Sequence, residues 1–213
     1  MQIIDDIRFQ IQEGDEQEVK NLVMQALQEG VAAKTILDDG LLEAMNIVGV
    51  QFKNNELFVP EVLMSAKAMS AGVEVLKPYL VPSDVKEKGT AVIGTIKGDL
   101  HDIGKNLVKM MIEGKGITVI DLGVDVEPKT FVEKAIAYNA KIICCSALLT
   151  TTMNNMYQVV EEAQNAGIRD KVKIMIGGAP VTQHFCDLVK ADCYTSDATS
   201  ASEAALNFCM GSI

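Results

Sequence analysis

The feature that most constrains the fold is an alternation, over residues 90–213, of short apolar runs with longer segments of helical periodicity. The apolar runs are Ala91–Ile96, Ile117–Leu122, Ile142–Ala147 and Val172–Ile176, and Cys193–Tyr194 begins a shorter fifth. Helical patterns fill the gaps, at about 102–113, 129–139, 152–166, 181–189 and 199–210. Continuous apolar strands that alternate with helices indicate a parallel sheet covered on both faces. We therefore predict an α/β domain over 90–213, with a flavodoxin-like (Rossmann-type), doubly wound sheet of five parallel strands.

The preceding residues, 1–80, follow a different pattern, because apolar side chains recur there at helical spacing and no segment alternates as a strand does. Asp15 is a candidate helix cap, Gly30 a helix end and Pro60 a first-turn residue of a helix that runs to about Leu76. A third helical region, from about Val31 to Phe52, is predicted to be interrupted at Gly40. These residues are predicted to form a helical bundle. A linker is predicted over 81–89, within a segment rich in Pro and charge that extends from Pro78 and is a candidate hinge.

Charge and cysteine content limit the classes of binding partner and the cellular compartment that are expected. The formal net charge is −10, from 19 basic and 29 acidic residues, which argues against binding to nucleic acid or to an anionic membrane. There are five cysteines, an odd number, and none of them forms a CxxC pair. A disulfide framework is therefore not expected, and a reducing, cytoplasmic location is.

Ligands of doubly wound folds bind at the carboxyl ends of the strands, which directs attention to the loops there. The loop after the first strand contains Asp99 and His101, and a carboxylate bonded to one ring nitrogen makes the other a better metal ligand. The alternatives are a helix cap or a solvent-exposed imidazole. A phosphate loop is disfavoured, because the glycine spacing is wrong and Asn106 replaces the required hydroxyl. A four-ligand zinc site is also disfavoured, so a cofactor would have to complete the coordination of a metal at His101.

The other strand-end loops carry small and hydroxyl-bearing residues. Four hydroxyls lie between Ser146 and Thr152, and a Gly177-Gly178 pair follows the fourth strand. Thr195–Thr199 is a further candidate cap. Simple capping and a tight turn explain these residues equally well, but together the loops would line one edge of the sheet and hold one elongated ligand.

The combination Asp99-x-His101-x-x-Gly104, a Ser146-x-Leu148 loop and a Gly177-Gly178 turn resembles the signature of cobalamin-binding domains. The extended form, Gly98–Asn106, is similar to that of methionine synthase and of the corrinoid proteins of methyltransferase systems. The resemblance covers nearly the whole chain, because the stretch Phe52–Val62 is similar to the family's helical cap over the corrin. It implies that residues 1–80 are a cap domain and 90–213 the cobalamin-binding domain.

The resemblance also implies residue roles. His101 would be the lower axial ligand of cobalt, Asp99 would orient it, and Thr152, at a position where methionine synthase has serine, would complete the relay. The same resemblance assigns to cofactor binding the loop residues Asp102, Ile103, Gly104 and Leu148, the tail-contacting Ser146 and Thr150, the space-making Gly177 and Gly178, and the upper-face Phe52 and Val59, the last of which is often leucine in the family.

The function implied is that of a methyl carrier, not catalytic alone, whose cofactor is cobalamin or a related corrinoid. A substrate:corrinoid methyltransferase would load it, with methylated or quaternary amines favoured over methanol and methoxyaromatics. A second methyltransferase using tetrahydrofolate or a thiol would unload it, and a reductive activase would restore it. The alternatives are the small subunit of an adenosylcobalamin-dependent mutase, a cobalamin-binding sensor, or a fragment of methionine synthase.

Overall fold

The computed structural model describes residues 2–80 and 88–211. They divide into two compact units, 2–80 with Gly114–Gly116, and 88–113 with 117–211. The predicted linker, 81–89, lies outside the described residues except for Lys88 and Gly89. Among the helices of the described ranges, none is both long and apolar enough to cross a membrane.

The first unit consists of helices. They are α1 (Gln2–Glu13), α2 (Glu16–Gln28), α3 (Ala33–Thr35), a π-helix (Ile36–Leu42), α4 (Glu43–Lys53), α5 (Val59–Leu76) and a 3₁₀ turn (Lys77–Tyr79). Asp15 caps α2 as predicted, because its side chain accepts hydrogen bonds from the backbone N–H groups of Gln17 and Glu18. The core is aliphatic and includes Ile7 and Ile11, which are fully buried.

The α-helix is interrupted around Gly40, as predicted, but by a π-helix. The helical path continues from α3 to α4, and it widens into the π-helix around Gly40 instead of breaking. A Cβ atom at this position would lie 3.5 Å from Ile7, so the glycine is packed against α1. This packing stabilises a helical conformation that the intrinsic preference of glycine disfavours.

The second unit contains a five-stranded sheet in the order β2-β1-β3-β4-β5, and every pair of neighbours is parallel. Its strands are β1 (Thr90–Thr95), β2 (Thr118–Asp121), β3 (Ile142–Ser146), β4 (Lys173–Gly177) and β5 (Cys193–Tyr194). The intervening helices are α6 (Ile103–Glu113), α7 (Pro128–Ala137), α8 (Asn154–Asn165), α9 (Gln183–Val189) and α10 (Ala198–Met210). The predicted doubly wound fold is confirmed, with each element within two residues of its predicted position.

Helices cover both faces of this sheet. One apolar core joins the sheet to α7, α8 and α9, and the other joins it to α6 and α10. The adjacent residues Cys144 and Cys145 point into opposite cores, as alternation along a strand requires. The strand order reverses between β1 and β3, so the loops after these two strands are neighbours at the point where such folds bind ligands.

Candidate functional site

Asp99 is the centre of the loop that follows β1. Its side chain has no exposed surface, and Oδ1 lies 2.7 Å from Nδ1 of His101. The same oxygen accepts a hydrogen bond from the backbone N–H of His101, at 3.1 Å. Both contacts fix the imidazole relative to the carboxylate, as the spacing of Asp99 and His101 predicted.

The second oxygen of Asp99 is held by the loop after β3. Oδ2 accepts from the backbone N–H groups of Leu148, at 2.7 Å, and Leu149, at 3.1 Å. The hydroxyl of Thr152 lies 3.2 Å from the same oxygen. Burial alone would raise the pKa of Asp99, but the hydrogen bonds from Leu148, His101 and Leu149 outweigh it and hold that pKa well below its usual range. Asp99 is therefore a carboxylate, and it can only accept.

The charge on Asp99 determines the tautomer of His101. An acceptor-only carboxylate at 2.7 Å requires a proton on Nδ1, so in the neutral imidazole the lone pair is on Nε2. About half of the imidazole is exposed, at 52% of the side-chain surface. The backbone carbonyl of His101 accepts from the hydroxyl of the buried Thr95, at 2.8 Å. This arrangement offers one nitrogen ligand to a metal.

No group of three or more metal-binding side chains occurs within residues 2–80 and 88–211. A structural zinc site would need four such ligands. A single imidazole with its other nitrogen held by a buried carboxylate would fit a metal ion whose remaining ligands a cofactor supplies, as the cobalt of a corrinoid requires.

The remaining loop residues surround His101 in the sequence. Ile103 begins α6 and, like Leu100, has an exposed apolar side chain. Asp102 accepts a hydrogen bond from the side chain of Asn106, at 3.1 Å. No atom lies within 4 Å of the place where a Cβ of Gly104 would be, so the backbone of this residue is uncovered on that side.

The loop after β3 does not use its hydroxyls to cap α8. Met153 is the residue before that helix, and no side chain caps it. The hydroxyl of Thr152 lies instead near Asp99 and near the carbonyl of Leu149. Thr150 and Leu148 are exposed, whereas Ser146 is half-buried at the end of β3, opposite Gly177.

The Gly177-Gly178 turn is constrained by the neighbouring strand. The backbone N–H of Ala147 donates to the carbonyl of Gly177, at 3.1 Å. A Cβ at Gly178 would lie 1.8 Å from the carbonyl oxygen of Ala147, and φ there is +128°. Gly178 is thus required by the close approach of two backbones, a reason that the sequence pattern did not reveal. The fourth loop is a cap as predicted, since Asp197 accepts from the N–H of Ser200.

Phe52 and Val59 belong to the helical unit. Phe52 is near the end of α4, Val59 is the first residue of α5, and both are partly buried. Between them Phe58 is strongly exposed. Their assignment to the upper face of a corrin stays a prediction.

Three contributors to this edge of the sheet were not predicted. Thr95 holds the backbone of His101, Asp125 accepts a hydrogen bond from Gly98, and the buried Lys105 pairs with Asp121. Asp121 is the last residue of β2, and Asp125 lies in the loop that follows it. The end of this strand was not among those predicted to line the site, and no local motif identifies either residue. A lysine inside an amphipathic helix pattern was the only available signal for Lys105.

The chain matches the model of the B12 binding domain over residues 89–206, and a second B12 binding domain model over residues 3–77. It is 46% identical, over 93% of both chains, to trimethylamine corrinoid protein 1 of Methanosarcina acetivorans. It is 45% identical to dimethylamine corrinoid protein 1 of Methanosarcina mazei, over 83% of this chain and 82% of the relative.

Two solved structures are also similar to this chain. The methanol:cobalamin methyltransferase complex of Methanosarcina barkeri contains a chain with a TM-score of 0.90 and 32% identity, over 99% of this chain and 80% of that one. A cobalamin-binding protein of Desulfitobacterium hafniense has a TM-score of 0.79 and 28% identity, over 96% of this chain and 98% of that one. With two B12 binding domain matches and relatives of this identity, the chain belongs to the family of corrinoid proteins of methyltransferase systems, and its cofactor is cobalamin or a related corrinoid.

Proposed function

We propose that this chain is the methyl carrier of a methylamine-dependent methyltransferase system. The bound corrinoid supplies a cobalt ion that accepts a methyl group from one substrate and releases it to another. The observation that carries the proposal is the buried Asp99 carboxylate that holds Nδ1 of a half-exposed His101 and leaves Nε2 free.

In this proposal the residues of the first loop control the ligation. His101 donates Nε2 to cobalt, and Asp99 keeps the proton on Nδ1. Thr152, Leu148 and Leu149 hold the second carboxylate oxygen, so that Asp99 does not rotate away. Because the carboxylate is buried and the imidazole is not, the ligand is presented to a cofactor at the sheet edge.

Other residues are proposed to bind the rest of the cofactor. Ser146 and Thr150 contact the nucleotide tail, and the turn at Gly177 and Gly178 leaves room for it. Asp102, Ile103, Gly104 and Leu148 are the remaining cofactor-binding residues at the sheet edge, and Phe52 and Val59 of the helical unit cover the upper corrin face.

Methylated amines are the proposed methyl donors, and two relatives named for trimethylamine and dimethylamine support this choice. Methanol is the second choice, because a structural neighbour belongs to a methanol:cobalamin methyltransferase complex. The proposed partners are a substrate:corrinoid methyltransferase, a second methyltransferase that uses tetrahydrofolate or a thiol, and a reductive activase.

The test compares the only two histidines, His101 and His184, of which His184 lies exposed on α9. The full chain is loaded with cobinamide, a corrinoid without the nucleotide base, and reduced to the cobalt(II) state, in which a nitrogen ligand from the protein splits the electron paramagnetic resonance lines. His101→Ala should abolish the splitting and weaken corrinoid binding by at least about tenfold, whereas His184→Ala should retain both. Splitting that persists in His101→Ala would refute the ligand assignment.

The carrier role is tested separately. The loaded chain is reduced chemically to the cobalt(I) state and mixed with purified trimethylamine, dimethylamine and methanol methyltransferases and their substrates, and methylation of the corrinoid is followed by its absorption spectrum. Methylation only with an amine methyltransferase is the expected result, and no methylation without a partner. A natively bound corrinoid that carries an adenosyl group would instead favour the mutase-subunit alternative.

A further inference from the structure

The segment that follows β2 runs beside the histidine-bearing loop. Beyond the strand ends, the N–H of Thr95 donates to the carbonyl of Gly123 at 2.9 Å, and that of Val126 to the carbonyl of Thr95 at 3.0 Å. Ile96 and Val126 form a further parallel bridge. The pairing of β1 with β2 thus continues into the loops that leave them.

Asp125 makes the contacts nearest to the proposed ligand. Its Oδ1 accepts a hydrogen bond from the N–H of Gly98, at 2.7 Å. Its own N–H donates to the carbonyl of Asp99, at 3.0 Å. One residue therefore holds the Gly98–Asp99 dipeptide at both ends of its backbone.

The backbone of Asp125 is in the left-handed region, with φ of 54°. Few residues other than glycine adopt this conformation, and aspartate is one that does so at low cost. In this conformation its N–H and its carboxylate both reach the same loop. A glycine at this position could adopt the same φ, but it would leave the N–H of Gly98 without this acceptor.

Asp99 is consequently fixed from two directions. Asp125 holds its backbone from the β2 side, and the loop after β3 holds its carboxylate through Leu148, Leu149 and Thr152. Because the position of the Asp99 carboxylate sets the orientation of His101, movement of this backbone would misalign Nε2. We propose that Asp125 is a positioning residue for the axial ligand His101, an inference that rests on the proposed ligation of cobalt by His101.

A second contact between the same loops provides a control. Lys97 and Glu127 form an ion pair of 2.7 Å, but more than half of each side chain is exposed. Exposed pairs of this kind contribute little to structure. Glu127→Gln, only two residues from Asp125, is therefore the matched control.

The first measurement needs no cofactor. In the apoprotein the Gly98 amide should exchange slowly with solvent, and Asp125→Gly, which keeps the backbone conformation, should speed this exchange about tenfold. Asp125→Asn, which keeps an acceptor oxygen, should stay within about threefold of the parent, as should Glu127→Gln. An unprotected Gly98 amide in the parent would overturn the proposal without requiring that any variant folds, and equal effects of Asp125→Asn and Asp125→Gly would overturn it too.

The second measurement is the nitrogen splitting of cobalt(II) cobinamide, which has no nucleotide base, in the full chain. In Asp125→Gly the ratio of nitrogen-bound to nitrogen-free cobalt should fall about tenfold, and in Asp125→Asn and Glu127→Gln it should stay close to the parent. Faster Gly98 exchange with an unchanged ratio would overturn the positioning role. A parent without any nitrogen splitting would refute the proposed ligation itself, a failure that the Gly98 exchange data identify separately.

Discussion

Oδ1 of Asp99 lies 2.7 Å from Nδ1 of His101, and the carboxylate is fully buried while half of the imidazole is exposed. The two groups therefore have different surroundings although they are in contact. Leu148 and Leu149 keep the carboxylate charged by donating backbone hydrogen bonds to its other oxygen. A charged partner inside and a free nitrogen outside is the arrangement that makes a histidine a directed metal ligand.

Asp99→Asn is expected to reverse the tautomer of His101. The carboxamide oxygen would be retained by the N–H groups of Leu148 and Leu149, which outnumber the one backbone N–H, of His101, at the other oxygen, so the NH₂ group lies toward Nδ1. Nδ1 must then accept, so the proton moves to Nε2 and blocks the ligand nitrogen. Nitrogen-15 chemical shifts of the imidazole in the apoprotein measure this directly, and an Nδ1-protonated ring in Asp99→Asn would contradict the argument.

Gly178→Ala should destabilise the protein far more than Gly177→Ala. The added Cβ of the first would meet the carbonyl oxygen of Ala147 at 1.8 Å, and φ of +128° disfavours any side chain. At Gly177 the nearest neighbour of a new Cβ, the carbonyl oxygen of Thr195, is at an ordinary 3.7 Å. We expect a loss of at least about 2 kcal/mol in the free energy of unfolding for Gly178→Ala, from urea titration.

The contrast between these glycines also separates two explanations of the turn. A glycine that only makes room for a nucleotide tail would tolerate alanine in the apoprotein and lose corrinoid affinity alone. The geometry predicts instead that apoprotein stability falls first. Equal stability of the two alanine variants would show that the backbone approach does not constrain this turn.

Contacts between residues close in the sequence could be predicted, whereas contacts between residues far apart in the sequence could not. Asp99 and His101 are two residues apart, and their contact forms within one loop, so a local motif was sufficient to identify them. Asp125 is 27 residues from Gly98, with α6 and β2 between them, and its role depends on the parallel pairing of β1 with β2. The fold could be predicted from alternating apolar runs, but not which side chain at each strand end would reach a neighbouring loop.

The helical unit shows the same limit. Helix positions followed from apolar spacing and from the Asp15 cap, because both signals are local. The π-helix did not, because it depends on Gly40 packing against Ile7 of another helix. The glycine predicted an interruption of the α-helix but not the π-helical form that it takes.

The buried thiols are expected to be unreactive in the folded protein. Burial raises the pKa of Cys144 to about 12 and that of Cys186 to about 11. Only thiolates react readily with iodoacetamide, so at pH 8 these two should remain unmodified, while Cys193, which is partly exposed, reacts slowly. Mass spectrometry should find fewer than five alkylated cysteines in the folded apoprotein and all five after unfolding. Rapid native alkylation of Cys144 would contradict its burial.

Lys105→Ala should be among the most destabilising changes on α6. The side chain is only 2% exposed, and its Nζ lies 2.7 Å from Oδ1 of Asp121. Removing the lysine takes away its buried stem and leaves the partly exposed Asp121 carboxylate with Lys109 as its remaining cationic contact, at a cost of about 2 kcal/mol. Lys109 contacts the same carboxylate at 3.3 Å but is more exposed, so Lys109→Ala is the matched control, with an expected cost below about 1 kcal/mol.

The dependence of this cost on pH identifies its origin. Burial opposes the charge of Asp121, but hydrogen bonds from Lys105 and Gly123 and the charges of Lys105 and Lys109 together lower its pKa. A lowered folded-state pKa contributes stability above the unfolded value of about 3.9, and that contribution is lost as the pH falls through the folded-state pKa. The difference in unfolding free energy between parent and Lys105→Ala should therefore be largest near pH 7 and shrink below about pH 4. Urea titrations of the apoprotein at several pH values measure it, and a difference that is constant down to pH 3 would mean that lost packing of the lysine stem, not its charge, accounts for the destabilisation.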